Sequence, residues 1–296
     1  MKHFGTLTRV RMRLAMRNRV FIFFSLVMPL AFFFFFAGII AKGESRWVAY
    51  FLAPIIAMTV MGSFWGQSAV LVMFREQGIL RRFRLAPISA SDMLASSIAA
   101  NYILMLPTVI IEILLARWLF HVRDFGNLLS LFVLVTVATV SFAALGLTIA
   151  SVTNTMQETQ VICQIIWLLL IFLSGATFPL PHLPRVVQHL ALFLPATYLV
   201  VGLHRAMIGA VAVWHLQIEL FSLAAWAVLA FFISTQLFRW EPEEKVTRSA
   251  KAWAAATILP FLLLGVWESK YGKLQSEARS TFDAVTRTSP DSNAPR

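Results

Sequence analysis

The chain alternates long apolar segments that carry very few charges with short polar links. Six segments approach or exceed the length that a helix needs to cross a hydrocarbon core, about 20 apolar residues. They are residues 20–41, 47–74, 93–116, 125–152, 161–178 and 220–238. The pattern predicts an all-α fold, a polytopic membrane helix bundle with a six-span core.

Composition supports a membrane location. Only 13% of the residues are charged and 59% are hydrophobic, whereas a soluble domain carries about 25% charged residues. The net charge of +11 would suggest a nucleic-acid partner for a soluble protein. Here the Lys and Arg residues lie at the ends of apolar segments, where they set orientation in an anionic-lipid membrane. No nucleic-acid partner is therefore expected.

The distribution of basic residues predicts the orientation. Links placed in the cytosol hold six Lys and Arg residues in 1–19, four in 74–87 and four in 239–251. Three links placed outside hold two each. The positive-inside rule therefore puts the N-terminus in the cytoplasm.

The N-terminal residues 1–19 predict an amphipathic helix. Phe4, Leu7, Val10 and Leu14 recur at helical spacing among six basic residues and no acidic one. Such a helix suits the membrane surface. A signal-peptide n-region is the alternative, but the apolar segment that follows is long enough to span.

Prolines interrupt the apolar sequence between the fifth and sixth spans. Pro179 and Pro184 break the helix, and Pro195 separates two short apolar arms, residues 186–194 and 196–209. Arms of this length are too short to cross a membrane. They are typical of re-entrant or interfacial helices, here on the outer face.

The C-terminal part departs from the six-span plan. Residues 252–267 are apolar and contain Pro260, so they form either a thin seventh span or an interfacial helix. From residue 268 the chain turns polar, and a disordered tail is expected. The predicted division is a transmembrane domain at 1–245, an additional apolar helix at 246–271 and a disordered tail at 272–296.

Several single positions inside the spans are candidates for special roles. Glu112 is an intramembrane carboxylate, which is costly and marks a functional candidate, although a pairing with Arg117 near the interface is the alternative. Cys163 is the only cysteine, so an intramolecular disulfide is impossible and a buried packing role is expected. Gly62 and Gly66 have the small-xxx-small spacing that lets membrane helices pack closely.

Sequence motifs for independent catalysis are absent. The chain has no G-x-x-x-x-G-K-[ST] sequence, so it supplies no P-loop ATPase site of its own. It also lacks H-E-x-x-H, C-x-x-C and G-x-S-x-G, and its histidines are scattered, so neither a metal site nor a hydrolase is expected. The sequence does not predict an enzyme.

The link at residues 74–87, FREQGILRRFRLAP, has the composition of a short docking helix. It interleaves four Arg and one Glu with the apolar residues Ile79, Leu80 and Phe83. A short amphipathic helix docks into a groove of another protein through a few buried anchors. The alternative is simple retention of positive charge on the cytosolic side.

Two motif regions together resemble the permease subunit of type-2 ABC exporters. The first, which looks like the coupling helix of that family, consists of Arg75, Glu76, Gly78, Ile79, Leu80, Arg81, Arg82, Phe83, Arg84 and Pro87. The second, which is similar to the outer re-entrant hairpin of that family, consists of Gly175, Phe178, Pro179, Pro184, Pro195, Tyr198 and Arg205. The C-terminal segment exceeds the usual plan of the family.

The resemblance implies partners. Two permeases, identical or homologous, would form a pathway, and two separate P-loop ABC ATPase subunits would dock below them. ATP and Mg²⁺ would be bound by the ATPase subunits, with no cofactor bound by this chain. The four Arg side chains would pair with acids of the ATPase groove, which Ile79, Leu80 and Phe83 would fill. The implied location is the bacterial plasma (inner) membrane, with membrane lipid around the spans.

The substrate is the least specified part of the prediction. Apolar, aromatic-rich spans without a large external domain favour export of an amphiphilic or hydrophobic substrate, drug-like or lipid-like. The alternatives are a polysaccharide or glycolipid exporter of the same family, an ATP-independent channel or carrier, and a membrane scaffold without transport.

Overall fold

A computed structural model describes residues 4–17, 23–84, 89–239 and 259–287. Its α-helices, numbered α1 to α13 in chain order, are Phe4–Arg17, Met28–Phe34, Ser45–Met61, Ser63–Glu76, Ile79–Arg84, Ala90–Trp118, Leu128–Val152, Met156–Leu173, Arg185–Ala191, Pro195–Met207, Gln217–Gln236, Leu259–Tyr271 and Leu274–Arg287. Two π-helical segments, Phe23–Val27 and Phe35–Ile40, flank α2. Short 3-10 turns cover Leu180–His182 and Val213–His215.

The described residues form helices, turns and no strand, which confirms the all-α prediction. Five helices are long and apolar enough to cross a membrane: the joined pair α3–α4, and α6, α7, α8 and α11. They overlap five of the six predicted spans. The other predicted span, residues 20–41, contains the shorter apolar helix Met28–Ile40, and its residues 20–22 lie outside the described part of the chain.

Polar links determine where three of these helices begin. Ser89, Asn127 and Thr155 each accept a hydrogen bond from the backbone N–H three residues further on, at 3.0–3.1 Å. These bonds satisfy N–H groups that have no helical partner. The caps therefore fix the first turns of α6, α7 and α8.

Helix α7 lies at the centre of the bundle and contacts α3, α4, α6, α10 and α11. Helices α7 and α4 approach each other closely at Gly146 of α7, where an added Cβ would overlap the backbone of Phe64 in α4. Phe64 lies between Gly62 and Gly66, so the predicted small-residue stretch lies at a helix–helix contact. The residue that permits the contact is Gly146, which the sequence analysis did not single out.

The bundle has two distinct ends. At one, called the docking end, Glu76 accepts a hydrogen bond from the backbone N of Met156 at 2.8 Å, so the link after α4 lies beside the α7–α8 connection. Arg239, which follows α11, donates to Asn154 in the same connection. At the opposite end, called the hairpin end, α10 contacts α3 at Tyr50 and the start of α7.

Residues 274–287 lie in the segment that was expected to be a disordered tail, and in this structure they form α13. Their polar composition conceals an amphipathic pattern, because the buried side chains Leu274, Ala278, Thr281 and Val285 recur at helical spacing. Residues 288–296 lie outside the described residues.

Helix α13 packs at the hairpin end. The ring of Phe282 contacts the rings of Trp47 and Tyr50 in α3 and the ring of His182. Since Arg239 lies at the docking end, the chain passes from one end of the bundle to the other between Arg239 and α13.

The predicted C-terminal apolar helix is described only in part. Residues 259–267 belong to α12, which packs on α11 and α9, whereas residues 252–258 lie outside the described part of the chain. The domain boundaries at residues 245 and 271 stay predictions.

Candidate functional site

The docking end is organised by a tight turn between α4 and α5. The turn consists of Gln77 and Gly78, and Gly78 has a φ of +66°. A side chain at Gly78 would have open space around it, so the backbone conformation, and not crowding, favours glycine here. The turn is closed by a hydrogen bond from Gly78 N to the carbonyl oxygen of Arg75 at 3.0 Å, and α5 contacts α4.

Arg75 binds this chain's own backbone. Its Nη1 donates to the carbonyl oxygen of Ala150 at 2.9 Å, and its Nη2 donates to that of Thr153 at 2.5 Å. These carbonyls belong to the last turn of α7, where a helix lacks N–H partners and carries partial negative charge. Arg75 is buried. Within this chain the side chain is a helix cap, and its pairing with an acid of a partner ATPase stays a prediction.

Glu76 makes the complementary contact on the next helix. Its Oε1 accepts from the N of Met156, the first residue of α8, at 2.8 Å. A carboxylate is favourable at a helix N-terminus because the N–H groups and the helix dipole point toward it. Arg75 and Glu76 together hold the end of α7 and the start of α8, and we call this arrangement the clasp.

The apolar residues of α5 divide between the interior and the surface. Leu80 is fully buried in a cluster with Leu71, Phe74, Met93 and Leu94 of the same chain. In this structure the Leu80 side chain serves the chain's own packing, and its predicted place in a groove of the ATPase stays a prediction.

The remaining predicted docking residues have mixed exposure. Ile79 is half-buried and Arg81 is exposed. The side chains of Arg82, Phe83 and Arg84 and the whole of Pro87 lie outside what the structure describes, so their docking roles stay predictions. Among the described side chains of this link, Gln77 and Arg81 are exposed and form neither a hydrogen bond nor an ion pair within the described chain.

Prolines and one glycine shape the outer hairpin. Gly175 has a φ of +88°, Pro179 precedes the 3-10 turn, Pro184 precedes α9, and Pro195 is the first residue of α10. Proline is well placed at a helix start because its missing N–H would lack a partner there anyway. The two predicted short arms are present as helices α9 and α10, which are bent by 94°.

Tyr198 fixes the bend between the two arms. Its hydroxyl donates to the carbonyl oxygen of Leu192 at 2.9 Å, and its side chain is buried. Phe178, the other aromatic residue predicted here, is about half exposed.

Arg205 joins three segments at the hairpin end. Its Nη1 lies 2.5 Å from Glu219 Oε1 in α11 and 3.0 Å from Glu277 Oε2 in α13, and its Nη2 donates to the carbonyl oxygen of His215 at 3.0 Å. Glu219 is fully buried and Arg205 nearly so. One guanidinium therefore ties the hairpin to α11 and to the C-terminal helix.

A proline in the middle of a span creates the contact between α10 and α3. Pro54 has no N–H, so the carbonyl of Tyr50, four residues earlier, lacks its helical donor. His204 Nε2 lies 3.0 Å from that carbonyl oxygen and donates to it, while its ring stacks on the Tyr50 ring at 4.4 Å between centroids. Any mid-helix proline frees a carbonyl, but the identity of the donor could not be inferred from the sequence.

Glu112 is fully buried between α6 and α3. Its Oε1 accepts a hydrogen bond from Thr59 Oγ1 at 2.6 Å, and its Oε2 has no hydrogen-bond partner among the described residues. The Arg117 side chain is exposed, and neither carboxylate oxygen of Glu112 bonds to it, so the Glu112–Arg117 pair considered from the sequence is not formed.

Within the described residues, no group of three or more His, Cys, Asp or Glu side chains is arranged to hold a metal ion. The polar contacts at both ends of the bundle join helices to one another. A displacement of one joined helix would therefore also displace the helices bonded to it.

Comparison with known proteins identifies the family. The sequence profile described as ABC-2 type transporter matches residues 2–208. The chain is 24% identical to the Bacillus subtilis protein YvfS, named as a transport permease, over 243 residues that cover 77% of this chain and 94% of YvfS.

Two further relatives match shorter parts. The Escherichia coli K12 protein YbhS, named as a multidrug ABC transporter permease, is 28% identical over 149 residues, which are 50% of this chain and 39% of YbhS. Nodulation protein J of Rhizobium meliloti is 37% identical over 70 residues, 24% of this chain and 26% of that protein.

The family match covers the clasp, the docking turn and the outer hairpin, and the apolar helices make the chain a multi-pass membrane protein. Membership implies association with an ABC ATPase. The chain belongs to the ABC-2 type transporter family and is a permease subunit of an ABC transporter.

Proposed function

We propose that the chain is the permease of an ATP-driven exporter that moves an amphiphilic or hydrophobic substrate out of the cytoplasm. Two separate ATPase subunits bind ATP and Mg²⁺ and dock at the docking end. A second permease, identical or homologous, completes the pathway. The N-terminus lies in the cytoplasm of a bacterial cell, as the distribution of Lys and Arg predicts.

The clasp is the observation that carries this proposal. Arg75 and Glu76 attach the docking turn to the end of α7 and the start of α8. A displacement of α5 by a docked ATPase is therefore transmitted to α4, α7 and α8 at once. Rigid-body movement of packed helices is an established way to open and close a pathway.

The apolar spans support the substrate class. The described spanning helices carry few charges, and two relatives bear names that refer to transport or multidrug transport. A lipid-like or drug-like molecule matches such surfaces better than a long glycan does.

Charge reversal at the docking end tests the role of the ATPase. The permease is co-expressed with an ABC ATPase encoded beside it, and ATPase co-purification is measured for Arg81→Glu. Arg117→Glu is the matched control, because Arg117 is also exposed but lies in the last turn of α6, at the end that leads to the hairpin end. We expect Arg81→Glu to weaken ATPase binding about threefold or more, with no loss in the control.

Transport by the complex tests direction and substrate. In inside-out vesicles, ATP should drive uptake of an amphiphilic dye only when both subunits are present. Uptake without the ATPase would support a channel or carrier instead, and would contradict the proposal.

A further inference from the structure

The N-terminal helix α1 packs on α6 and places one arginine in the protein interior. Arg11 is 8% exposed and donates through Nη1 to Ser97 Oγ in α6. The guanidinium also lies over the ring of Phe74 in α4, with its central carbon 5.5 Å from the ring centroid. Arg11 thus differs from its neighbours Arg9 and Arg13, which are exposed on the same helix.

A cavity of about 80 Å³ lies beside Arg11, between α1, α4 and α6. Its lining includes the polar residues Gln67, Ser97 and Asn101. It also includes the apolar residues Leu14 and Val70, and the Leu14 side chain is half exposed. Since about 10–15 Å³ is enough for one water molecule, the cavity has room for a larger group.

Two hydrogen-bond donors at this cavity have no partner. Arg11 Nη2 and Asn101 Nδ2 are buried and unpaired among the described residues, and Asn101 is only 9% exposed. Leaving such donors unpaired costs free energy, and the cost is greatest for a charged group. Ser97 and Gln67 bond to each other at 2.5 and 2.8 Å, and neither accepts a hydrogen bond from these two nitrogens.

The electrostatic character of the cavity selects for an anion. Burial lowers the pKa of Arg11 to about 10, which leaves the guanidinium charged at neutral pH. None of the described residues that line the cavity is acidic. The charge of Arg11 is therefore not neutralised by a carboxylate of the lining.

We propose that this cavity binds the phosphate group of an anionic amphiphile, with Arg11 and Asn101 as donors and the apolar tail against Leu14 and Val70. The planar guanidinium of Arg11 and the side-chain amide of Asn101 both present N–H donors, which suit phosphate oxygens. The amphipathic character of α1 places the opening at the membrane surface, where such molecules are concentrated.

The site does not depend on the exporter function, since binding is measured on the isolated permease. The purified protein in neutral detergent is titrated with phosphatidylglycerol, with phosphatidylcholine and with glycerol 1-phosphate, and binding is followed by native mass spectrometry. We expect phosphatidylglycerol to bind more tightly than phosphatidylcholine. We also expect Arg11→Gln to weaken phosphatidylglycerol binding about tenfold or more.

Arg13→Gln removes the same charge from the exposed face of the same helix and is the matched control. It should leave binding within about twofold of the wild type, since an exposed charge contributes little. Equal losses in Arg11→Gln and Arg13→Gln would show general surface attraction and overturn the site. Tight binding of glycerol 1-phosphate, lost in Arg11→Gln, would assign the site to a soluble phosphate and overturn the part of the proposal that concerns the tail.

Asn101→Leu decides the question if Arg11→Gln does not fold. This variant removes the second donor and fills the cavity, while the Arg11–Ser97 contact stays intact. Phosphatidylglycerol should then bind no better than phosphatidylcholine. Unchanged preference for phosphatidylglycerol in Asn101→Leu would overturn the proposal.

Discussion

Arg75 caps the last turn of α7 through Thr153, whose carbonyl oxygen lies 2.5 Å from Arg75 Nη2. The same carbonyl also accepts from Arg239 Nη2 at 2.6 Å. Two cations from distant parts of the chain thus meet at one helix C-terminus, where the partial negative charge of the helix end favours them.

Arg75→Ala should destabilise the permease itself. The change leaves the carbonyls of Ala150 and Thr153 with fewer donors, and hydrogen bonds to a charged group contribute about 1.5–3 kcal/mol. We expect a lower thermal midpoint of the purified protein, measured by fluorescence-detected size exclusion after heating. Arg81→Ala, which alters an exposed arginine of the same link, should leave the midpoint nearly unchanged. Equal midpoints for the two variants would contradict the capping role.

Leu80→Asp should reduce the amount of folded permease before any ATPase is added. A carboxylate placed in the fully buried position of Leu80 would lack a partner in the apolar cluster. Leu80→Met, which conserves volume, should be tolerated at a cost below about 1.5 kcal/mol. Normal yield of Leu80→Asp, with only ATPase binding lost, would show that Leu80 leaves the cluster to dock.

The contact between His204 and Tyr50 predicts a coupled double variant. His204→Ala should cost about 1–3 kcal/mol, because it leaves the Tyr50 carbonyl unpaired. Pro54→Ala restores a helical N–H for that carbonyl, so the cost of His204→Ala should be smaller in the Pro54→Ala background. A double-mutant cycle on chemical unfolding measures this coupling. Additive effects would mean that the proline does not create the need for the histidine.

Gly146→Ala should separate α7 from α4. The added Cβ would overlap the backbone of Phe64, and overpacking of this kind costs about 1–3 kcal/mol. Gly38→Ala is the control, because a Cβ at Gly38 meets nothing within 4 Å. Thermal midpoints of the two variants should differ clearly, with the loss confined to Gly146→Ala.

The path of the C-terminal segment predicts opposite accessibility for two single cysteines. Cys163 is buried, 3.1 Å from Ser68 Oγ, and is replaced by Ala to provide the background. Ser280→Cys on the exposed face of α13 should react with a membrane-impermeant maleimide on intact cells. Gln77→Cys at the docking end should react only after permeabilisation. Labelling of both from one side would contradict the crossing between Arg239 and α13.

Much of the architecture is readable from the sequence. Runs of apolar residues locate the spans, and Pro179, Pro184 and Pro195 mark the broken hairpin because proline removes donors and sterically ends helices. The helix α13 could also have been found, since Leu274 and Val285 belong to a regular apolar face. The prediction of a disordered tail relied on the polar composition of the segment and did not use this periodicity.

The roles of Arg75 and Leu80 depend on tertiary neighbours. The partner of Arg75 lies 78 residues away along the chain, and no local pattern identifies it. Leu80 sits in a helix of six residues, too short for periodicity to distinguish its buried side. Gly146 is similar, because only the approach of Phe64 from another helix shows why glycine is required there.

The joined helices α3 and α4 connect the two ends of the bundle directly. Together they comprise 32 residues, Ser45–Glu76, and at 1.5 Å per residue they are about 48 Å long. His204 contacts this rod at Tyr50, near the hairpin end, and the clasp contacts it at Arg75 and Glu76, at the docking end. The rod therefore links the two ends of the bundle: tilting it by about 5° around the clasp would move its end near Tyr50 by about 4 Å over that length.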